Sequence, residues 1–215
     1  MTMKEAGGKL KNIAVFASGR GSNFFAILQE VKKGKIKGRI CCVVSDRHNP
    51  PVFELAKREG IPTHWVCRKQ FKTGDDYVGA LIELLESYKI DLVVLAGYLK
   101  LIPAPVVSRY RNSIINIHPA LLPNFGGKGY YGMKVHKAVI ESGVKLTGVT
   151  VHFVDERYDN GPIILQKPIE VLPDDTPETL AERVLKVEHE VYPEVVKAFC
   201  EDKLLVEGRK VIWKE

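Results

Sequence analysis

From residue 12 onward, short apolar runs alternate with amphipathic ones. "NIAVFA" (12–17) is rich in β-formers and too short for a buried helix, so it predicts a strand. "FFAILQEVKKG" (24–34) follows with apolar residues at helical spacing. The pair recurs as "RICCVVS" (39–45) and "VFELAKREG" (52–60), the second closed by Gly60. It recurs again as "IPTHWVC" (61–67) and "DDYVGALIELLESYK" (75–89), which sets Leu81, Leu84 and Leu85 on one face. "IDLVVLAG" (90–97) is apolar on both faces, as a strand covered by helices on either side must be. Strands alternating with helices predict an α/β fold with a doubly wound, mostly parallel sheet.

At Ser113 the rhythm changes. "SIINI" (113–117) is a short strand that stops at "HPALLP" (118–123), where two prolines deny both helix and strand. A glycine-rich loop, "NFGGKGYYG" (124–132), leads into the helix "MKVHKAVIESG" (133–143). "KLTGVTVHFVD" (145–155) alternates Thr147, Val149, Val151 and Phe153 against Gly148, Thr150 and His152. "GPIILQKPIEV" (161–171) reads as its partner, which gives the C-terminal part an antiparallel character. Residues 176–202 predict a long helix with Thr176 as N-cap, Pro177 at the first position, and Glu178 and Glu182 near the positive end. Pro193 is expected to kink or divide it. "LLVEGRKVIW" (204–213) closes the chain as a hairpin. No linker or repeat interrupts the pattern. Residues 1–11 read as a polar, disordered tail and 12–215 as one domain of two halves, 12–112 and 113–215.

Composition narrows the classes. With 45% hydrophobic and 27% charged residues, the chain has an ordinary globular make-up. No apolar run approaches the roughly 20 residues of a membrane span. The first residues, "MTMKEAGGKLKN", lack a signal-peptide core, so a cytoplasmic location is expected. Cys41, Cys42, Cys67 and Cys200 show no C-x-x-C spacing, which argues against a zinc site or a disulfide framework and for small core residues. The net charge of +6 is spread along the chain without the basic-aromatic clustering of a nucleic-acid binder. A modest positive field suits a small anionic substrate.

Three stretches could carry chemistry. "ASGRGSN" lies directly after the first strand and opens the first helix, so backbone N–H groups and the helix dipole make an anion pocket there. Phe24 stands where the dinucleotide fingerprint needs a third small residue, and no Gly-Lys-Ser/Thr follows. A single phosphate fits; so does a plain turn capped by Ser22. In "NIHP", Asn116 and His118 are two apart and leave one face of a strand whose carboxyl end is where α/β sheets bind ligands. An amide can donate to an oxyanion and an imidazole can move a proton near neutrality. A packed histidine at a turn is the other reading. In "VHFVDERYDNGPII", Asp159 precedes a tight Asn-Gly-Pro turn and could reach His118 if the strand ends are neighbours; an acidic solvent loop is the alternative. No metal-ligand spacing is present.

Together "SGRGSN", "VVLAGYLKLIP", "NIHPALLP", "GVTVHFVDERYDNGPII" and "EHEVYP" resemble, in order and spacing, the phosphoribosylglycinamide formyltransferase family, from about residue 12 to the C-terminus. The resemblance implies a Rossmann-like formyltransferase fold with a nucleotide-phosphate-binding half (12–112) and a catalytic, folate-binding half (113–215). It implies formyl transfer from 10-formyltetrahydrofolate to the amine of glycinamide ribonucleotide, in purine biosynthesis, with no metal. The matching positions make Asn116, His118 and Asp159 a catalytic trio in which Asp159 raises the pKa of His118. Gly21, Ser22 and Asn23 become the substrate phosphate site and Glu188 a ribose contact. Leu99, Lys100, Leu101 and Ile102, with Asn116, become folate contacts, and His152 a supporting histidine. Partners are small molecules, not nucleic acid or membrane, and the protein is expected as a monomer or homodimer.

Three departures stand out: Lys100 replaces a common arginine, Gly74 falls where an arginine is often found (leaving Lys69 or Lys72 to substitute), and the loop after Pro123 is longer than in many members. Its glycines suit a mobile lid. Formyltetrahydrofolate hydrolase is the alternative activity, expected to carry a further N-terminal domain. A sensor using only the Gly21–Asn23 pocket would not need the trio.

Overall fold

The computed structural model describes residues 9–215. In chain order its elements are β1 (Lys11–Phe16), α1 (Ser22–Lys32), β2 (Gly38–Ser45), α2 (Pro51–Arg58), β3 (Thr63–Trp65), α3 (Gly74–Ser87), β4 (Leu92–Leu95), α4 (Ala104–Arg109), β5 (Ile114–His118), α5 (Met133–Ser142), β6 (Leu146–Phe153), β7 (Ile163–Glu170), α6 (Pro177–Cys200), β8 (Leu204–Glu207) and β9 (Lys210–Trp213). The tail expected over residues 1–11 falls mostly on residues 1–8, outside those described; Lys11 belongs to β1.

Seven strands form one sheet in the order β3-β2-β1-β4-β5-β6-β7, and β8 and β9 pair separately. Strands β1 to β5 run parallel; β6 is antiparallel to β5, and β7 to β6. The continuous apolar runs are explained by helices on both faces. In β1, Ile13 and Val15 join the core under α1 and α6, while Ala14 and Phe16 join the one under α3 and α4. β4 divides the same way, Leu92 and Val94 against Val93 and Leu95. The chain leaves β1 towards β2 on one side and returns to β4 on the other. That reversal opens a crevice at the carboxyl ends of β1 and β4, where open α/β sheets bind ligands.

Helix α6 runs unbroken for 24 residues through Pro193, contrary to the division expected there. Proline removes one backbone donor, but Pro193 is buried and its neighbours Val191, Tyr192, Val195 and Val196 pack into the core, which holds the helix through the gap. The hydroxyl of Tyr192 lies 2.9 Å from the Leu95 carbonyl and 3.1 Å from that of Ile115, which ties α6 to the ends of β4 and β5. Thr176 caps the helix as expected, its side chain accepting from the Thr179 N–H. Cys41, Cys42 and Cys200 are buried, and burial pushes the thiols of Cys42 and Cys200 up to about 12, as inert core residues require. Cys67 is half-buried on the loop after β3.

Candidate active site

The antiparallel pairing of β6 with β5 creates a cluster that a wholly parallel sheet would not. Asn116 pairs with His152 and His118 with Thr150 across the two strands. The turn between β6 and β7 then brings in Asp159, which adopts a left-handed backbone (φ 51). Its Oδ1 accepts from Asn116 Nδ2 at 3.3 Å and lies 3.8 Å from His152 Nε2; its Oδ2 lies 3.6 Å from His118 Nδ1. The expected trio is therefore assembled, with His152 as a fourth member.

Hydrogen-bond chemistry assigns the tautomers. His152 Nδ1 faces the Phe153 carbonyl at 2.7 Å and so carries the proton; its Nε2 accepts from Asn116 Nδ2 at 3.1 Å. Both amide hydrogens of Asn116 are thus engaged. His118 Nε2 donates to the Phe125 carbonyl at 2.8 Å, which leaves Nδ1 for the carboxylate. Burial is the largest influence on His118 and outweighs Asp159, so its pKa lies below the usual histidine value. Asp159 does act to raise it, as expected, but burial sets the net direction. Burial also acts to raise the Asp159 pKa, but the neighbouring His152 and His118 and the Gly127 N–H together hold it below the ordinary carboxylate value.

The glycine-rich loop closes the cluster. Phe125 (φ 54) turns its carbonyl onto His118, and the Gly127 N–H donates to Asp159 Oδ2 at 2.9 Å. A Cβ at Gly126 would lie 2.4 Å from Leu122 Cδ2 and 3.3 Å from Asp159 Cβ, so a larger residue there would push on Leu122 and crowd Asp159. Sequence reasoning missed both backbone contacts; the glycines were their only signal. Beyond His118 the prolines end the strand, as the sequence predicts. The structure adds polar clamps: buried Thr150 Oγ1 donates to the Ala120 carbonyl and accepts from the Leu122 N–H, and Gln166 Nε2 donates to the Leu122 carbonyl.

At the other side of the crevice, Gly21 rather than Ser22 is the N-cap of α1, and no side chain caps that end. Gly21 has φ 80, and a Cβ there would lie 2.4 Å from Val52 Cγ2. Ser22 is instead the first helical residue, and the uncapped turn keeps its anion-binding character. Asn23 Nδ2 donates to Glu188 Oε2 at 2.8 Å, so the pocket and the Glu188 carboxylate meet across 165 residues of chain. Asn23 Oδ1 is buried without a partner. Burial pushes Glu188 up to about 7, against the pull of the Asn23 bond.

The turn after β4 lies beside the turn after β1. Leu99 and Leu101 are exposed, as is Lys100, whereas Ile102 is buried in the core. The Leu99 N–H is already taken by Ser18 Oγ at 3.1 Å, so it is not a free donor for a ligand. Gly74 opens α3, and Lys69 and Lys72 are exposed ahead of it. Among the described residues no cluster of three or more His, Cys, Asp or Glu could hold a metal, and no helix is long and apolar enough to cross a membrane.

A family model described as formyl transferase matches residues 11–196. The chain belongs to the formyl transferase family. Within this family it is similar to the phosphoribosylglycinamide formyltransferase of Bacillus subtilis strain 168, at 41% identity over 87% of this chain and 94% of that protein. It is 47% identical to the chloroplastic phosphoribosylglycinamide formyltransferase of Vigna unguiculata over 91% of this chain, which spans only 62% of the plant protein. The formyl transferase fold is shared with glycinamide ribonucleotide transformylase 1 of Symbiobacterium toebii, with a TM-score of 0.90 and 40% identity over 97% of this chain and 96% of that one. A formyltetrahydrofolate deformylase from Pseudomonas syringae pv. tomato aligns with a TM-score of 0.86 but only 27% identity, over 97% of this chain and 67% of that one.

Proposed function

We propose that the protein is a phosphoribosylglycinamide formyltransferase, moving the formyl group of 10-formyltetrahydrofolate to the primary amine of glycinamide ribonucleotide in purine biosynthesis. The observation that carries this reading is the assembly of Asn116, His118 and Asp159 at the carboxyl end of β5, in a chain 41% identical to a full-length relative of that name. The lower identity to the deformylase favours transfer over hydrolysis.

In this reading the phosphate of the nucleotide sits on the uncapped turn of Gly21, Ser22 and Asn23, and Glu188 accepts from the ribose hydroxyls. Exposed Leu99 and Leu101 flank Lys100 at the rim of the crevice and offer an apolar ledge for the flat folate ring system. The amine nitrogen attacks the formyl carbon, and the carbonyl oxygen becomes an oxyanion. Asn116 turns one N–H from Asp159 to that oxygen. His118 starts neutral, because burial lowers its pKa. It takes the amine proton on Nδ1, and the 3.6 Å approach of Asp159 becomes a charge-assisted bond. Collapse breaks the bond from the formyl carbon to the folate nitrogen, and the proton passes from His118 to that nitrogen. His152 holds the Asn116 amide throughout. Partners are small molecules only, and the protein acts in the cytoplasm as a monomer or homodimer.

Purified protein with 10-formyltetrahydrofolate should turn over only when glycinamide ribonucleotide is added. Turnover without the amine would establish the hydrolase instead. His118→Ala and Asp159→Asn should each lower kcat by about 10²–10⁴-fold with little loss of nucleotide binding.

A further inference from the structure

The hairpin β8–β9 lies beyond the residues that the family model matches, yet it touches the loop that carries Asp159. Arg209 stands at its tip, next to Gly208 (φ 60), and Arg209 Nη2 donates to the Asn160 carbonyl at 2.6 Å. Asn160 follows Asp159 directly. The hairpin is itself fixed: Trp213 Nε1 donates to the Ile164 carbonyl at 3.0 Å, and Leu204, Val206 and Val211 pack against the main core. The arginine therefore reaches the loop from a rigid base.

The loop needs such a hold. Asp159 is one of few non-glycine residues with positive φ, a conformation that costs an L-residue roughly 1–2 kcal/mol. Inside the loop, Asn160 Nδ2 donates to Asp155 Oδ2 at 2.6 Å, and the Phe153 N–H donates to the Pro162 carbonyl at 2.8 Å. These bonds close the two ends of the turn. The carbonyl of Asn160, one peptide beyond Asp159, has the Arg209 guanidinium as its partner, and a charged donor makes that bond stronger than a neutral one would.

We propose that Arg209 is a positioning residue: by fixing the Asn160 carbonyl it holds the Asp159 carboxylate against His118 and Asn116. The inference rests on the catalytic reading of Asp159. Turnover of the unaltered enzyme is measured first. Arg209→Ala should then lower kcat about ten-fold, since a misplacement of around 1 Å can cost up to about a hundred-fold, while KM for glycinamide ribonucleotide stays within about two-fold. Arg209→Lys, which keeps a charged donor, should recover most of the loss. In an Asp159→Asn background Arg209→Ala should cost nothing further, because the two changes act through one carboxylate.

A readout free of turnover is the titration of His118 by NMR. Asp159 favours its protonated form, so Arg209→Ala should shift that titration to lower pH by a few tenths of a unit, with the melting temperature moved by no more than about 2 °C. A kcat within about two-fold of the unaltered enzyme, or an equal loss on top of Asp159→Asn, would overturn the proposal. If the unaltered enzyme fails to turn over, the catalytic reading fails, and an unmoved His118 titration then overturns the brace as well.

Discussion

Glu188 shows, at the scale of one residue, how a proposed binding group can work against the fold that holds it. It is buried, its one side-chain partner is the Asn23 amide, and its pKa is pushed up to about 7 by loss of solvent. A carboxyl whose folded pKa is raised contributes its full stability below the unfolded value near 4.5 and loses it as pH rises through about 7. At pH 8 the ionised group therefore costs the fold on the order of 3 kcal/mol. The same ionised oxygens are what ribose hydroxyls would donate to. Glu188→Gln should then raise the melting temperature at pH 8 and leave it nearly unchanged at pH 4. The same variant should bind glycinamide ribonucleotide less well at pH 8 and lose the improvement in KM expected of the unaltered enzyme between pH 6 and 8. A variant that is no more stable at pH 8, or one whose KM still improves across that range, would contradict this account. His118 carries a related lesson. Its carboxylate partner was legible beyond the next strand in sequence, but the net sign of its pKa shift was not, because burial is a property of the whole packed site.

Elements were legible where their signals are local. The strand-helix alternation, the antiparallel turn of β6 and β7, and the Thr176 cap all follow from periodicity and cap chemistry within a few residues. Misjudged features depended on distant packing. Pro193 does not divide α6 because the core holds that helix, and Ser22 is not the cap because Val52 forces glycine one position earlier. The contacts of Phe125 and Gly127 with the site escaped notice because backbone groups of a loop carry no sequence label. The turn from β6 to β7 makes the same point energetically. A Cβ at Gly161 would lie 1.8 Å from the Phe153 carbonyl oxygen, against rigid backbone rather than a flexible side chain. Gly161→Ala must spread the turn and with it displace Asp159. The variant should lose about 1–3 kcal/mol of stability and at least ten-fold in kcat. Urea denaturation alongside steady-state kinetics would check both; unchanged kcat would mean the turn does not set the position of Asp159.

Across the whole molecule, the parallel arrangement of β1 to β5 gathers five loops at the edge of the sheet where the crevice lies. Those loops carry Arg20, Arg47, Arg68, Lys69, Lys72, Lys100 and Lys128, all exposed, against a single acid, Asp46. Along the chain these cations look scattered, and the net charge of +6 looks diffuse. Folding concentrates them around one opening, so the field at the crevice is stronger than composition suggests. In the proposed reaction a phosphorylated nucleotide and a folate with carboxylates would both be drawn in by this field. Exposed charges are screened over about 10 Å at 0.1 M salt, so the effect belongs to encounter and not to the chemical step. Raising sodium chloride from about 20 mM to about 300 mM should lower kcat/KM for glycinamide ribonucleotide several-fold and leave kcat within about two-fold. Replacing Arg68, Lys69 and Lys72 together by alanine should flatten that salt dependence without touching His118, Asn116 or Asp159. If kcat/KM were insensitive to salt, or if the triple variant kept the full slope, the loops would be solvated surface and the substrates would reach the crevice without their help.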